Sequence, residues 1–152
     1  MPQSAKRGLR ASFAALAKLR ACTLFAPLAA LLFLALFLPA QSAFDGVYTD
    51  AQADRGAALY PDECDRCHGM DLEGDEGPAL ASQEFLADWK GHPLSELFNR
   101  IRFAMPGDHP GKLTAQQTAD VLAFILRANR FPAGTTELPA DTQKLRQMRL
   151  ER

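Results

Sequence analysis

Cysteine is scarce in this chain, with three in 152 residues. Acid is missing altogether from residues 1–43, and paired arginines do not occur there. Residues 44–152 contain no internal repeat and no low-complexity tract. Nor does any segment alternate polar and apolar residues with period two, so the only regular signal left is helical. Each absence narrows the chain's class, and the first of them turns on the N-terminus.

Lys6, Arg7, Arg10, Lys18 and Arg20 form an acid-free basic region. Leu24 to Leu38 is then apolar, interrupted only by Pro27, and small residues follow at Ala40, Ser42 and Ala43. That layout predicts a secretory signal peptide over residues 1–43, exported unfolded because no twin arginine is present. The cut falls after the small-x-small pattern Ala40-Gln41-Ser42 or one residue later, after Ala43. The competing reading is an uncleaved anchor, since Ala21 to Leu38 is a longer apolar run at the lower limit for a membrane span. Cys22 precedes the apolar core and is no lipid-attachment site. Once it leaves with the signal, two cysteines remain, too few for a disulfide framework or a four-thiolate metal site.

Removing the leader also changes the charge. Residues 44–152 carry 12 Lys and Arg against 18 Asp and Glu, a net charge of −6. Asp62, Glu63, Asp65, Asp71, Glu73, Asp75 and Glu76 cluster together, with Arg66 the one base among them. Such a field disfavours nucleic acid. It either steers a basic protein partner or is a solvated loop that aids solubility.

The helical signals run in order. Thr49 or Asp50 caps a helix from Ala51 to about Pro61, with Ala53, Ala57 and Tyr60 on one face. Glu73 to Pro78 reads as an irregular loop. Gln83 to Trp89 is a short helix, and another begins near Pro93 with Leu94, Leu97, Phe98 and Ile101 on one face. Thr114 and Gln117 form a capping box for a largely buried helix reaching about Ala128. The class is all-α. Residues 139–152 form a charged tail bearing Lys144, Arg146, Arg149 and Arg152, expected as a frayed helical end; the alternative is a helix face of Leu145, Met148 and Leu150 that packs back on the domain or touches a partner.

Cys64-Asp65-Arg66-Cys67-His68 carries the chemistry. Two thiols separated by two residues can add to the two vinyl groups of a haem, and the histidine that follows is held beneath the iron. In an oxidising compartment a free pair of this kind tends to close on itself unless both thiols are consumed. The rival dithiol-switch reading lacks that protection. A core of about 110 residues with few helices is also small, and a large apolar cofactor would complete it.

The second axial ligand decides the function. Met105 lies 37 residues beyond His68, in a loop shaped by Pro106 and Gly107. Its thioether suits low-spin electron-transfer haem. Met70 follows His68 too closely to reach the opposite face, and Met148 is in the tail. His92 and His109 are the bis-histidine alternatives, and a gap-filling core role for Met105 also stays open.

The chain resembles the class I c-type cytochromes, in particular small exported bacterial ones and the haem domains of quinoprotein dehydrogenases. The resemblance rests on Arg55 to Tyr60, the Cys64–His68 motif with Gly69, Gly77-Pro78-Ala79-Leu80, Phe85, Trp89, Met105-Pro106 and Asp120 to Leu126. It implies a cytochrome c fold of four to five helices over residues 44–138, around one covalently attached haem c with its iron. It further implies that Gly56 meets Phe124 where the first and last helices cross. Pro78 would offer its carbonyl to the ring of His68, and Trp89 either donates to a haem propionate or packs as a core aromatic. Cofactor binding is thus expected at Cys64, Cys67, His68, Pro78, Trp89 and Met105, with iron on His68 and Met105. The expected role is a non-enzymatic periplasmic electron carrier, serving a periplasmic dehydrogenase or a membrane electron-transfer complex. It would meet the membrane itself only through an uncleaved N-terminus. The alternative is a haem protein whose sixth position stays open for a gas or peroxide.

Overall fold

A computed structural model describes residues 41–151. The signal or anchor expected at the N-terminus lies, up to residue 40, outside the described residues, as does Cys22. The elements are β1 (Gln41–Ser42), α1 (Asp50–Glu63), α2 (Asp65–His68), α3 (Gln83–Trp89), α4 (Leu94–Ala104), α5 (Ala115–Ala128), α6 (Thr142–Leu145) and β2 (Met148–Arg149). The fold is mostly helical, as the periodicity predicts.

α1 and α5 cross at the centre. Gln52, Ala53, Gly56 and Tyr60 form the buried face of α1, at the three- and four-residue spacing that lines one side of a helix. Gly56 is there because nothing larger fits. A β-carbon at that position would lie 2.0 Å from the carbonyl oxygen of Asp120 and 2.9 Å from Cβ of Phe124. One turn on, the rings of Tyr60 and Phe124 meet edge to face with centroids 5.2 Å apart. α1 runs past Pro61 to Glu63, two residues beyond the expected end, and the N–H of Cys64 still reaches the carbonyl of Tyr60 at 2.9 Å.

α5 starts on the predicted capping box, with Thr114 and Gln117 each accepting the other's backbone N–H. It ends in a Schellman closure: Phe131 N–H bonds the carbonyl of Leu126 and Arg130 N–H that of Arg127. Arg130 consequently takes φ +63°, a conformation usually left to glycine. Pro93 stands as the cap before α4 rather than inside its first turn. Leu94, Leu97, Phe98 and Ile101 are buried, as their spacing requires.

Both ends of the described chain depart from expectation. The tail is docked, not frayed. Leu145 and Leu150 are buried, and β2 pairs in parallel with β1, Gln41 opposite Met148 and Ser42 opposite Arg149. Leu150 exchanges backbone bonds with Gly91 and His92, both 3.0 Å. The folded unit also begins before residue 44. Ala43 is fully buried, Gln41 N–H donates to the carbonyl of Gln147 at 2.9 Å, and Ser42 Oγ donates to that of Glu151 at 2.7 Å. Two-residue strands are too short to produce a period-two signal, so the sequence pattern could not announce them.

Further along, Gln52 binds the segment after α5. Its side chain donates to Leu138 O at 3.0 Å and accepts from Leu138 N at 2.7 Å. Arg55 joins the same region, with bidentate bonds to both Asp120 and Glu137.

Candidate haem site

The thiols sit where α1 gives way to a single tight turn. Cys64 closes the last turn of α1, and its carbonyl accepts from the N–H groups of Cys67 and His68 at 3.2 and 3.0 Å. Both cysteines are free and partly exposed. Burial, reinforced by the charges of Glu63 and Asp65, pushes the Cys64 thiol up to about 12. A thiol held protonated in this way is a poor redox switch, which needs a thiolate.

The loop after the motif folds back under it. Gly69 turns the chain with φ +77°, and its carbonyl accepts from the Tyr60 hydroxyl at 2.8 Å. Burial raises the Tyr60 phenol above its ordinary value, keeping it a donor. Gly77 N–H bonds the carbonyl of Cys67 at 2.7 Å and Gly74 N–H that of His68 at 2.8 Å. A side chain at 77 would press on the imidazole, since a β-carbon there would come within 3.0 Å of His68 Cε1. This wrapping brings the carbonyl of Pro78 to 2.7 Å from His68 Nδ1. A carbonyl only accepts, so Nδ1 carries the proton and Nε2 keeps its lone pair. Such a bond also fixes the ring's orientation and strengthens it as a donor to a metal.

Cys64, Cys67, His68, Pro78, Trp89 and Met105 all line one cavity of about 1050 Å³. Ordinary small-molecule pockets span roughly 300–1,000 Å³, so this one suits a large planar group. Leu97 and Ile101 of α4 and Val121 and Ile125 of α5 form its apolar walls. The residues present therefore fit a haem: two free thiols, an oriented imidazole, a thioether and an apolar chamber. Met70 is exposed and Met148 belongs to β2, and neither lines the cavity. His92 and His109 do line it. The first is bonded to Glu96 at 2.8 Å, and the second is largely solvent-exposed beside Asp108. Trp89 stands at the rim between Phe85 and His92, with the Arg100 guanidinium 5.7 Å from its ring centre.

Sequence reasoning missed how the Met105 loop is held. Lys112 Nζ lies 2.8 Å from Glu63 Oε1, and Arg66 reaches Asp108 at 3.2 Å. Arg102 also donates to the carbonyl of Gly111 at 3.0 Å. The loop after α4 is thereby tied to the residues around the thiols. Glu63 is mostly buried, and its second oxygen has no hydrogen-bond partner among the described residues.

Comparison with known proteins agrees with this geometry. The family model described as cytochrome c oxidase, cbb3-type, subunit III matches residues 51–125, from α1 to near the end of α5. Cytochrome c-551 of Bacillus subtilis (strain 168) is 39% identical over 61 residues, covering 40% of this chain and 53% of that protein. The chain thus spans about half the length of this curated relative. No solved structure matches it. These matches support a small class I c-type cytochrome, a family whose cofactor is a covalently bound haem c.

Proposed function

We propose that this protein carries single electrons between exported redox partners, on one haem c bonded to Cys64 and Cys67 and ligated by His68 and Met105. When bound, the haem supplies an iron that cycles between ferrous and ferric forms. The chain does the rest. Pro78 holds the His68 ring through Nδ1, so Nε2 faces its task in a fixed tautomer. Leu97, Ile101, Val121 and Ile125 keep the interior dry and its dielectric low. The ties from Glu63 and Arg66 hold the loop that bears Met105. Asp62, Asp65, Glu76, Glu84 and Asp88 stand around the cavity mouth, and a rim of that sign favours a partner with a basic docking face.

The observation that carries this reading is the convergence of both thiols, an oriented histidine and Met105 on one apolar cavity, while Met70 and Met148 lie away from it. The test compares visible spectra of the oxidised and reduced protein with those of Met105→Ala. A covalent haem mass in both proteins, with loss of the weak red band of methionine-ligated ferric iron in the variant, is the expected result. An unchanged variant spectrum would move the sixth ligand to His92 or His109. Carbon monoxide binding by the wild type at neutral pH would instead favour an open coordination site. Electron transfer to a basic partner should slow as salt rises.

A further inference from the structure

We propose that the apolar N-terminal segment is not removed and that it tethers the folded domain to the membrane. The reason lies at the start of the fold. Near the end of the apolar run the one small-x-small pattern is Ala40-Gln41-Ser42, and a peptidase reading it would cut after Ser42. That cut removes β1. It would strip β2 of its strand partner and delete the bond from Gln41 N–H to Gln147. It would also remove the Ser42 side chain, which donates to Glu151 and accepts from Phe44 N–H. A cut one residue later would take the fully buried Ala43 as well. A cut just before Gln41 spares the fold but would place Leu38 where the pattern needs a small residue.

Residues 41–43 therefore act as structure, and no well-formed cleavage pattern precedes them after the apolar run. The run itself, Ala21 to Leu38, meets the lower limit of the ~17–25 residues a span requires. Five bases and no acid before its middle assign that end to the cytoplasmic side, so the domain stands on the other. This inference holds whichever ligand binds the haem iron.

The test uses the full chain, expressed in a host that exports proteins and attaches haem. Membranes are isolated and washed first with concentrated salt and then with alkaline carbonate. The protein should survive both washes, leave only in detergent, and show the intact mass of the chain with its first forty residues. A soluble protein beginning at Gln41, Ala43 or Phe44 overturns the proposal. So does release by salt, because attachment would then be adsorption through the basic tail and not a tether.

Discussion

Gly56→Ala tests the central crossing of the fold, because local and tertiary effects predict opposite signs. Position 56 lies inside α1, where replacing glycine by alanine ordinarily stabilises a helix by about 1 kcal/mol. The crossing removes that gain. The new methyl group would sit 2.0 Å from Asp120 O, 2.5 Å from its carbonyl carbon and 2.9 Å from Phe124 Cβ. Ordinary contacts begin near 3.4 Å, and two of the obstacles are backbone atoms that no rotamer change can clear. α1 and α5 must separate by more than an ångström. That loosens the Tyr60–Phe124 contact and lengthens the bonds between Arg55 and Asp120. Overpacking of this kind costs about 1–3 kcal/mol and occasionally more. With an obstacle made of backbone, the net loss should reach about 2 kcal/mol, or a fall of roughly 10 °C in Tm for a domain of this size. Urea unfolding of the haem-loaded protein, followed by far-UV circular dichroism, measures it. Equal or greater stability in the variant would refute the tight crossing.

Three other predictions rest on single positions. Arg130→Gly should stabilise the protein by about 1 kcal/mol, because glycine accepts φ +63° without the cost a side chain incurs; a lower urea midpoint would contradict it. Gln52→Leu should cost about 2–4 kcal/mol, since the buried N–H and carbonyl of Leu138 both lose their partner; a loss below 1 kcal/mol in the same assay would mean water replaces the side chain. Lys112 is raised above its ordinary 10.5 by its bond to Glu63, so the tie it forms is complete below pH 10.5 and is lost as pH rises through the higher folded value. Glu63→Gln weakens that tie at every pH, and the methionine-ligation band should therefore disappear at lower pH than in the wild type. Coincident alkaline transitions in a spectroscopic titration would separate the Met105 loop from the Glu63–Lys112 pair.

Features written in short stretches of sequence were legible. α3 spans the predicted Gln83–Trp89, and α5 starts on the Thr114–Gln117 box, because caps and apolar spacing act within a turn or two. The thiols and His68 are a local motif, and the end of α4 just before Met105 is marked by Pro106 and Gly107. The bond between Pro78 and His68 came from family resemblance, since nothing in the residues alone says where a carbonyl will point. Other features depend on distance. The Glu63–Lys112 tie joins positions 49 apart, and the β1–β2 pair joins the two ends of the described chain. Gln52 is not among the residues whose spacing marked the apolar face of α1, yet it is fully buried, because its amide bonds both backbone groups of Leu138. Pro61 suggested the end of α1, but the chain continued helically into the turn that presents Cys64.

These long-range ties suggest a division of labour within a small domain. One part of the structure is closed by contacts that need no cofactor. The α1–α5 crossing has no room for a β-carbon at Gly56, Gln52 binds Leu138, and the tail is sealed by Leu145 and Leu150. The cavity walls come from different segments: the Cys64–His68 turn, the loop to Pro78, α4 and the Met105 loop. On the cavity side the Cys64–His68 turn is bonded to the loop that reaches Pro78, whereas the Met105 loop is joined to this region through side chains. Of the two ion pairs that do so, Arg66–Asp108 is exposed on both sides and Lys112–Glu63 at its lysine, and pairs open to solvent stabilise little. A ligand bridging those walls would thus add what they do not supply to one another. Damage to the crossing should lower stability with or without haem, whereas loss of Met105 should alter the iron's spectrum while leaving the α1–α5 frame intact. Different substitutions can therefore separate the frame from the site, and that separation is what makes the ligand assignment testable by spectroscopy.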